Sequence, residues 1–273
     1  MDKNQKIMIG AIGTAVVAGG VIIGLILGRT PPKADLSTFH TEASTEASGE
    51  TRPPETTVPE TESQKAPEKP AAVISAEVMT YTAGKVSIEY PAIRQMEDKD
   101  KQDKINEHLK ANALSVLKGY GIREDTDTLT VSCDIVSADP KRLTAVYTGE
   151  LDIKGGAHPS RIFYTNTLNL DQMKDMGLND FTDAYTMAGY VLSEDVRFPK
   201  LNAEETSAAL EYRSTQSPET LTAVFEKADF PFSGGETWPE SFSYEKQGRI
   251  YFSLPVPHAL GDYVIVEFDP ATK

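Results

Sequence analysis

The feature that most constrains this chain is an uncharged run of 22 residues, Ile7 to Gly28, containing only apolar residues, glycine and one threonine. At about 1.5 Å per residue such a helix is roughly 33 Å long, the thickness of a bilayer's hydrocarbon core. No soluble domain readily buries a helix that is apolar all round. The run therefore predicts a transmembrane signal anchor over residues 7–28, behind a short cytoplasmic tail of residues 1–6. A cleaved signal peptide has a shorter apolar core and a small-residue cleavage site. Leu27-Gly28-Arg29-Thr30 is a poor match to such a site, and no cysteine follows to carry a lipid. Lys3 and Lys6 precede the run and Arg29 and Lys33 follow it, so flanking charge orients it only weakly. The short basic N-terminus favours N-inside, with the rest of the chain outside. Gly20, Gly24 and Gly28 recur on one helix face, a spacing that lets two membrane helices approach closely, which makes a homodimer through that face a further expectation.

Residues 29–72 change character. Of the 43 positions from 30 to 72, seven are Pro, eight Thr, seven Glu and four Ser, and Phe39 is the lone aromatic. Such a stretch has too little apolar surface to offset the entropy of ordering. It is predicted to be a disordered stalk, about 35–40 Å long as a coil and beyond about 100 Å when extended.

Residues 73–273 hold all eleven tyrosines, the one tryptophan and nine of ten phenylalanines. These 201 residues are ample for a core. Val86, Ile88 and Tyr90 alternate as in a strand, which Pro91 is expected to end. Ile105, Leu109, Ala113, Val116 and Leu117 recur at helical spacing, with Gly119 or Gly121 as the stop. Three alternating runs follow, at 129–135, 143–153 and 162–170, separated by Asp139-Pro140 and Gly155-Gly156. They read as an antiparallel meander with one face buried. Asn202 with Glu205, and Ser217 before Pro218, read as helix starts. Phe242 to Leu254 reads as a hairpin across Gln247-Gly248, and residues 263–268 as a last strand. The fold class is α+β, a mainly antiparallel sheet with packed helices.

Composition removes several functions. A net charge of −14 and a pI near 4.8 argue against nucleic acid, whose phosphates require a basic patch. One cysteine, Cys133, rules out an internal disulfide framework and an all-cysteine zinc site. It alternates with apolar neighbours and reads as a buried, inert thiol. No Gly-X-Ser-X-Gly elbow and no short metal-ligand spacing occurs, so no catalytic residue, metal or cofactor is assigned.

Two elements are candidate ligand-binding sites. Gly155, Gly156, His158 and Arg161 share a tight strand connection, where glycine permits positive φ and the His158 and Arg161 side chains offer polar contacts. Trp238, in Ser233-Gly-Gly-Glu-Thr-Trp-Pro239, offers a ring that either stacks on a ligand or covers a core edge. His258 reads as part of a structural bend, and pairing it with His158 on a metal has no spacing in its favour. His108, beside Glu107 and Lys110, reads as exposed.

Several local patterns occur in one order: Ile88-Glu-Tyr-Pro91, Lys104-Ile-Asn-Glu-His-Leu-Lys110, Tyr147-Thr-Gly-Glu-Leu-Asp-Ile-Lys-Gly-Gly-Ala-His-Pro159, Thr165-Asn-Thr-Leu-Asn-Leu170, Leu178-Asn-Asp-Phe181 and Ile250-Tyr-Phe-Ser-Leu-Pro-Val-Pro-His-Ala-Leu-Gly-Asp262. Over about residues 78–270 the chain resembles the extracytoplasmic domain of unknown function shared by the anti-sigma factor RsiV and the non-catalytic part of the peptidoglycan deacetylase PdaC. The resemblance implies a Gram-positive bacterium, the outer face of the cell membrane and cell-envelope biology. RsiV-like members bind lysozyme, so lysozyme or another cationic wall-active protein is the implied partner, and peptidoglycan is a second. The six-residue tail is too short to hold a sigma factor, and no deacetylase domain is present, so neither activity carries over. The sequence therefore reads as a non-enzymatic, single-pass binding module. A peptidoglycan-acting hydrolase and a structural wall-associated stalk protein are the alternatives.

Overall fold

The computed structural model describes residues 74–232 and 237–272. The expected tail, the expected anchor with Gly20, Gly24 and Gly28, and the expected stalk lie outside the described residues. Among the described residues no helix is long and apolar enough to cross a membrane.

The chain enters through a hairpin of β1 (Ser75–Ala83) and β2 (Val86–Arg94). The helix α1 (Lys99–Gly119) follows, capped by the Asp98 carboxylate, which accepts from the Lys101 amide at 2.9 Å. Of the residues the helical spacing selects, Ile105, Leu109, Ala113 and Val116 are buried and Leu117 is half-buried. Gly121, at φ +64°, turns the chain out of the helix. Then come β3 (Thr128–Ala138), β4 (Arg142–Asp152), β5 (Ser160–Asn169) and the short β6 (Lys174–Met176). These strands form one six-stranded sheet in the order β1-β2-β3-β4-β5-β6, antiparallel except where β2 meets β3.

Pro91 does not end β2, contrary to expectation; the strand runs three residues beyond it. The reason lies in the pairing. β2 and β3 share only the register Val86–Ile88 against Leu129–Val131 and then diverge. At Ile93 the amide donates to the Asn106 side chain of α1 at 2.7 Å, so that edge is no longer a ladder. Pro91, two residues earlier, points its missing N–H the same way, where no strand needs it.

A helical layer follows: α2 (Leu178–Phe181), α3 (Ala184–Leu192), α4 (Ala203–Ser214) and α5 (Pro218–Glu226). Asn202 and Glu205 form the capping box of α4, and Ser217 caps α5 ahead of Pro218, as the sequence indicates. The chain closes with a second antiparallel sheet, β7 (Ser243–Lys246), β8 (Arg249–Pro255) and β9 (Tyr263–Phe268), whose first turn places Gln247 and Gly248 at φ +54° and +77°.

The described residues form two apolar cores. One packs α1 on the inner face of the large sheet, with Tyr147 and Tyr164 stacked at 4.3 Å. The other joins α3 and α5 to β8 and β9, with Phe225 edge-on to Phe252 at 5.1 Å. The meander is not buried on one face only. β5 is buried at every position from Ile162 to Leu168, because the second sheet covers its other side. Phe163 lies 5.0 Å from Tyr263, and the Thr165 hydroxyl donates to the Ser243 carbonyl.

Asp229 fastens this junction. It is buried, at φ +68°, and accepts from the amides of Leu178 and Ser243 and the hydroxyls of Ser243 and Thr165. Burial pushes its carboxyl up to about 6 against these four donors, which favour the charged form.

Candidate functional site

Two stretches about 100 residues apart in sequence meet at one end of the large sheet. The first is the β4–β5 connection. Gly155 sits at φ +89°, a conformation that only glycine adopts without strain. Asp127 anchors this loop: its carboxylate accepts from the Lys154 amide at 3.0 Å and from the Arg123 amide at 2.9 Å. Those amides and the Arg123 guanidinium hold the Asp127 carboxyl well below the usual carboxylate range. Gly155, Gly156 and His158 are exposed beyond this anchor.

The second stretch is a 3-10 turn over His258–Leu260, closed by Gly261 at φ +94° and Asp262 at φ +70°. Asp262 spends both oxygens on the junction. One accepts from the His258 ring at Nδ1, 2.9 Å away, and the other from the backbone amide of Arg161 at 2.7 Å. Because a carboxylate only accepts, Nδ1 carries the proton and Nε2 of His258 is left free. The His158 and His258 rings stack at 5.6 Å, 11° from parallel. The Arg161 guanidinium lies 5.0 Å over the Tyr263 ring. A Cβ on Gly261 would come within 2.6 Å of its Nη1, so glycine makes the room for it.

An open groove of about 1290 Å³ leads away from this junction. Its floor is the outer face of β3, β4 and β5. The register sets out rows of side chains there: Arg161, Glu150 and Thr130 in one, Phe163, Thr148 and Ser132 in the next, Asp152 and Thr128 at the end. Its wall comes from Lys200, Leu201, α4 and the His258–Gly261 turn. Alternation in β3 turns Leu129, Val131 and Cys133 inward and Thr128, Thr130 and Ser132 outward. The side chains of Glu150, Asp152, Arg161, Lys200 and Glu204 make no hydrogen bond or ion pair to any described residue.

The structure thus joins Gly155, Gly156, His158 and Arg161 to His258, Asp262 and Tyr263, of which only His258 drew notice in the sequence, and then as a bend. A histidine four residues before an aspartate, with glycine between, is the signal that marks this turn. Trp238 is not among the groove residues. It packs half-buried at a core edge, 5.3 Å from both Phe232 and Phe242, and a Cβ on Gly119 would meet its ring at 2.2 Å.

His108 is not the solvated helix residue its neighbours suggest. Its Nε2 lies 3.0 and 2.9 Å from the two oxygens of Asp175 on β6. Asn112 and Asn166 donate to the same carboxylate at 2.9 and 2.8 Å. Cys133 is buried, and burial pushes its thiol up to about 12, so it is a poor nucleophile. Among the described residues no group of three His, Cys, Asp or Glu side chains is placed to hold a metal ion.

No protein-family model and no curated protein matches the chain. Among solved structures it is similar to a DUF3298 family member from Bacteroides fragilis NCTC 9343, at 12% identity and TM-score 0.40, covering 73% of this chain and 91% of that one. It is also similar to a DUF3298 family protein from Pseudomonas aeruginosa PAO1, at 12% identity and TM-score 0.35, covering 70% of this chain and 94% of that one.

Proposed function

We propose that this chain is a binding module of the cell envelope, not an enzyme. In this reading residues 7–28 cross the membrane once, residues 29–72 carry the domain off its outer face, and Gly20, Gly24 and Gly28 pair two copies in the membrane. The observation that carries the reading is the groove. It ends on side chains that the fold has oriented in advance, His258 by Asp262 and Arg161 by Tyr263, while the side chains of Glu150, Asp152, Lys200 and Glu204 make no hydrogen bond or ion pair to any described residue. Pre-oriented, unpaired polar groups favour binding because little ordering cost is left. Residues 73–273 carry 20 basic and 32 acidic side chains, a net −12. That field would attract a cationic wall-active protein such as lysozyme, which the likeness to RsiV and PdaC also suggests, and would speed its association at low salt.

Calorimetric titration of residues 73–273 with lysozyme at two salt concentrations tests this. Micromolar or tighter binding that weakens with salt is the expected result. Silence at high micromolar lysozyme removes the lysozyme partner.

One observation favours a second reading, a peptidoglycan-acting hydrolase. Glu150 and Asp152 lie two apart on β4, share the groove face and have no partner. Paired carboxyls about 5–9.5 Å apart are what glycoside hydrolysis needs. Reducing ends released from peptidoglycan by the wild-type chain, and lost in Glu150→Gln, would establish it. The binding-module reading expects none.

A further inference from the structure

The groove's occupant can be narrowed by asking what satisfies all of its free groups at once, an inference that rests on the binding-module reading. Along the floor and wall, Glu150, Asp152 and Glu204 are unpaired acceptors, while Arg161 and Lys200 are unpaired donors. A polyanion would be repelled by the four lining carboxylates, Glu150, Asp152, Glu204 and Glu205. A polycation would meet Lys200 and Arg161, whose guanidinium lies over the Tyr263 ring in the room that Gly261 leaves. Between the charges stand the hydroxyls of Thr128, Thr130, Ser132 and Thr148, each able to donate and accept. A ligand whose own groups both donate and accept leaves none of these unmatched. These side chains are exposed, so water satisfies them in the free protein, and a ligand that displaces that water must offer groups of both kinds in its place.

Size adds a second constraint. Pockets for compact ligands run about 300–1,000 Å³. At about 1290 Å³ and open to solvent, this groove suits a chain rather than a single small molecule. Its floor is also periodic: the rows Asp152–Thr128, Arg161–Glu150–Thr130 and Phe163–Thr148–Ser132 repeat along the strands. Each row presents polar groups at about the same step, roughly 6.8 Å for two strand residues. A repeating, hydroxylated polymer fits a repeating, polar floor.

We infer that the groove binds a neutral saccharide chain, with Arg161 as donor and Glu150, opposite it in register, as acceptor. His258, oriented by Asp262, lines the groove beside them with its Nε2 available to a sugar hydroxyl.

The test uses the full chain in lipid nanodiscs, titrated calorimetrically with hexamers of N-acetylglucosamine and of glucose, and with hexalysine and hexaglutamate as charged controls. The expected result is binding of a neutral hexamer with little dependence on salt. Arg161→Met and Glu150→Gln should each weaken it about tenfold, or about 1.4 kcal/mol. Both positions are exposed or on the outer face, so thermal midpoints should hold, and Thr148→Val provides a third variant if either fails to fold. Neutral hexamers that fail to bind at about 10 mM, far beyond a useful affinity, overturn the inference. So does saccharide binding indifferent to all three variants, or tighter binding of either charged peptide. Lysozyme binding without saccharide binding sinks this inference and leaves the module reading standing; the converse removes only the protein partner.

Discussion

Two histidine–aspartate pairs in this domain have the same 2.9 Å separation and opposite surroundings. In His108–Asp175 the carboxylate is 5% exposed, joins α1 to β6 across 67 residues, and takes two further bonds from Asn112 and Asn166. In His258–Asp262 the partners are four residues apart on one turn, the imidazole is 51% exposed, and the carboxylate's other bond goes to the Arg161 amide. The first pair is a joint between elements. The second is a bracket that aims side chains at an open groove. One chemistry does two jobs because burial decides whether losing a partner leaves donors stranded or returns them to water.

The largest expected effect breaks the first pair. Asp175→Ala leaves the Asn166 amide, 1% exposed, without its acceptor, and also strands Asn112 and His108. Unfolding in urea should show a loss of about 2–4 kcal/mol. Asp262→Ala should cost under about 1 kcal/mol, because solvent reaches both donors it abandons. Equal losses would mean that burial does not distinguish the two pairs.

A second contrast sharpens the role of burial and is read by pH. Asp229 and Asp127 are both shielded carboxylates that accept backbone amides, yet they titrate in opposite directions. Asp127 has the Arg123 amide, the Arg123 guanidinium and the Lys154 amide, and its carboxyl is held low. Asp229 faces no cation among its partners, and burial raises it from 3.8 to about 6. For Asp229 the folded state keeps a proton that the unfolded chain has lost, so its contribution is full below pH 3.8 and falls away as pH rises through about 6. The swing is about 2–3 kcal/mol between those limits. For Asp127 the unfolded chain binds the proton first, so its contribution is present above the ordinary carboxylate range and is lost as pH falls. Subtracted from wild type, the Asp229→Asn stability profile should fall with rising pH between about pH 4 and 6, whereas the Asp127→Asn profile should be flat there and fall as pH drops below about 4. Parallel profiles would refute the assignment.

Much of the fold was legible because local chemistry decided it. Leu129, Val131 and Cys133 alternate and lie inward in β3; Asn202 and Glu205 cap α4; Gln247-Gly248 turns the last hairpin. What was not legible needed partners distant in sequence. Asp175 lies on a three-residue strand with no periodicity of its own, so nothing beside His108 announced its acceptor. Pro91 looked like a strand end because the divergence of β2 from β3 is a property of the sheet, not of the dipeptide. The double burial of β5 depended on a second sheet built some 80 residues later. Of the candidate site, the sequence marks the glycine-rich loop with His158 and Arg161, while the His258–Asp262 bracket beside it reads only as a bend.

The smallest expected effect separates the two halves of that site. Gly155 and Gly261 share a left-handed conformation, φ +89° and +94°, but not a neighbourhood. A Cβ at Gly155 meets nothing within 4 Å, whereas one at Gly261 meets Arg161 Nη1 at 2.6 Å. Gly155→Ala should therefore carry only the conformational penalty, about 1 kcal/mol. Gly261→Ala carries the same penalty, and the added methyl also pushes the guanidinium off Tyr263. Because that arm is flexible and exposed, the extra stability loss should stay within about 0.5 kcal/mol. The difference should appear instead in ligand binding, weakened by Gly261→Ala and untouched by Gly155→Ala. If both variants bind alike, the stacked position of Arg161 is incidental to the groove, and the bracket built by Asp262 only shapes the turn.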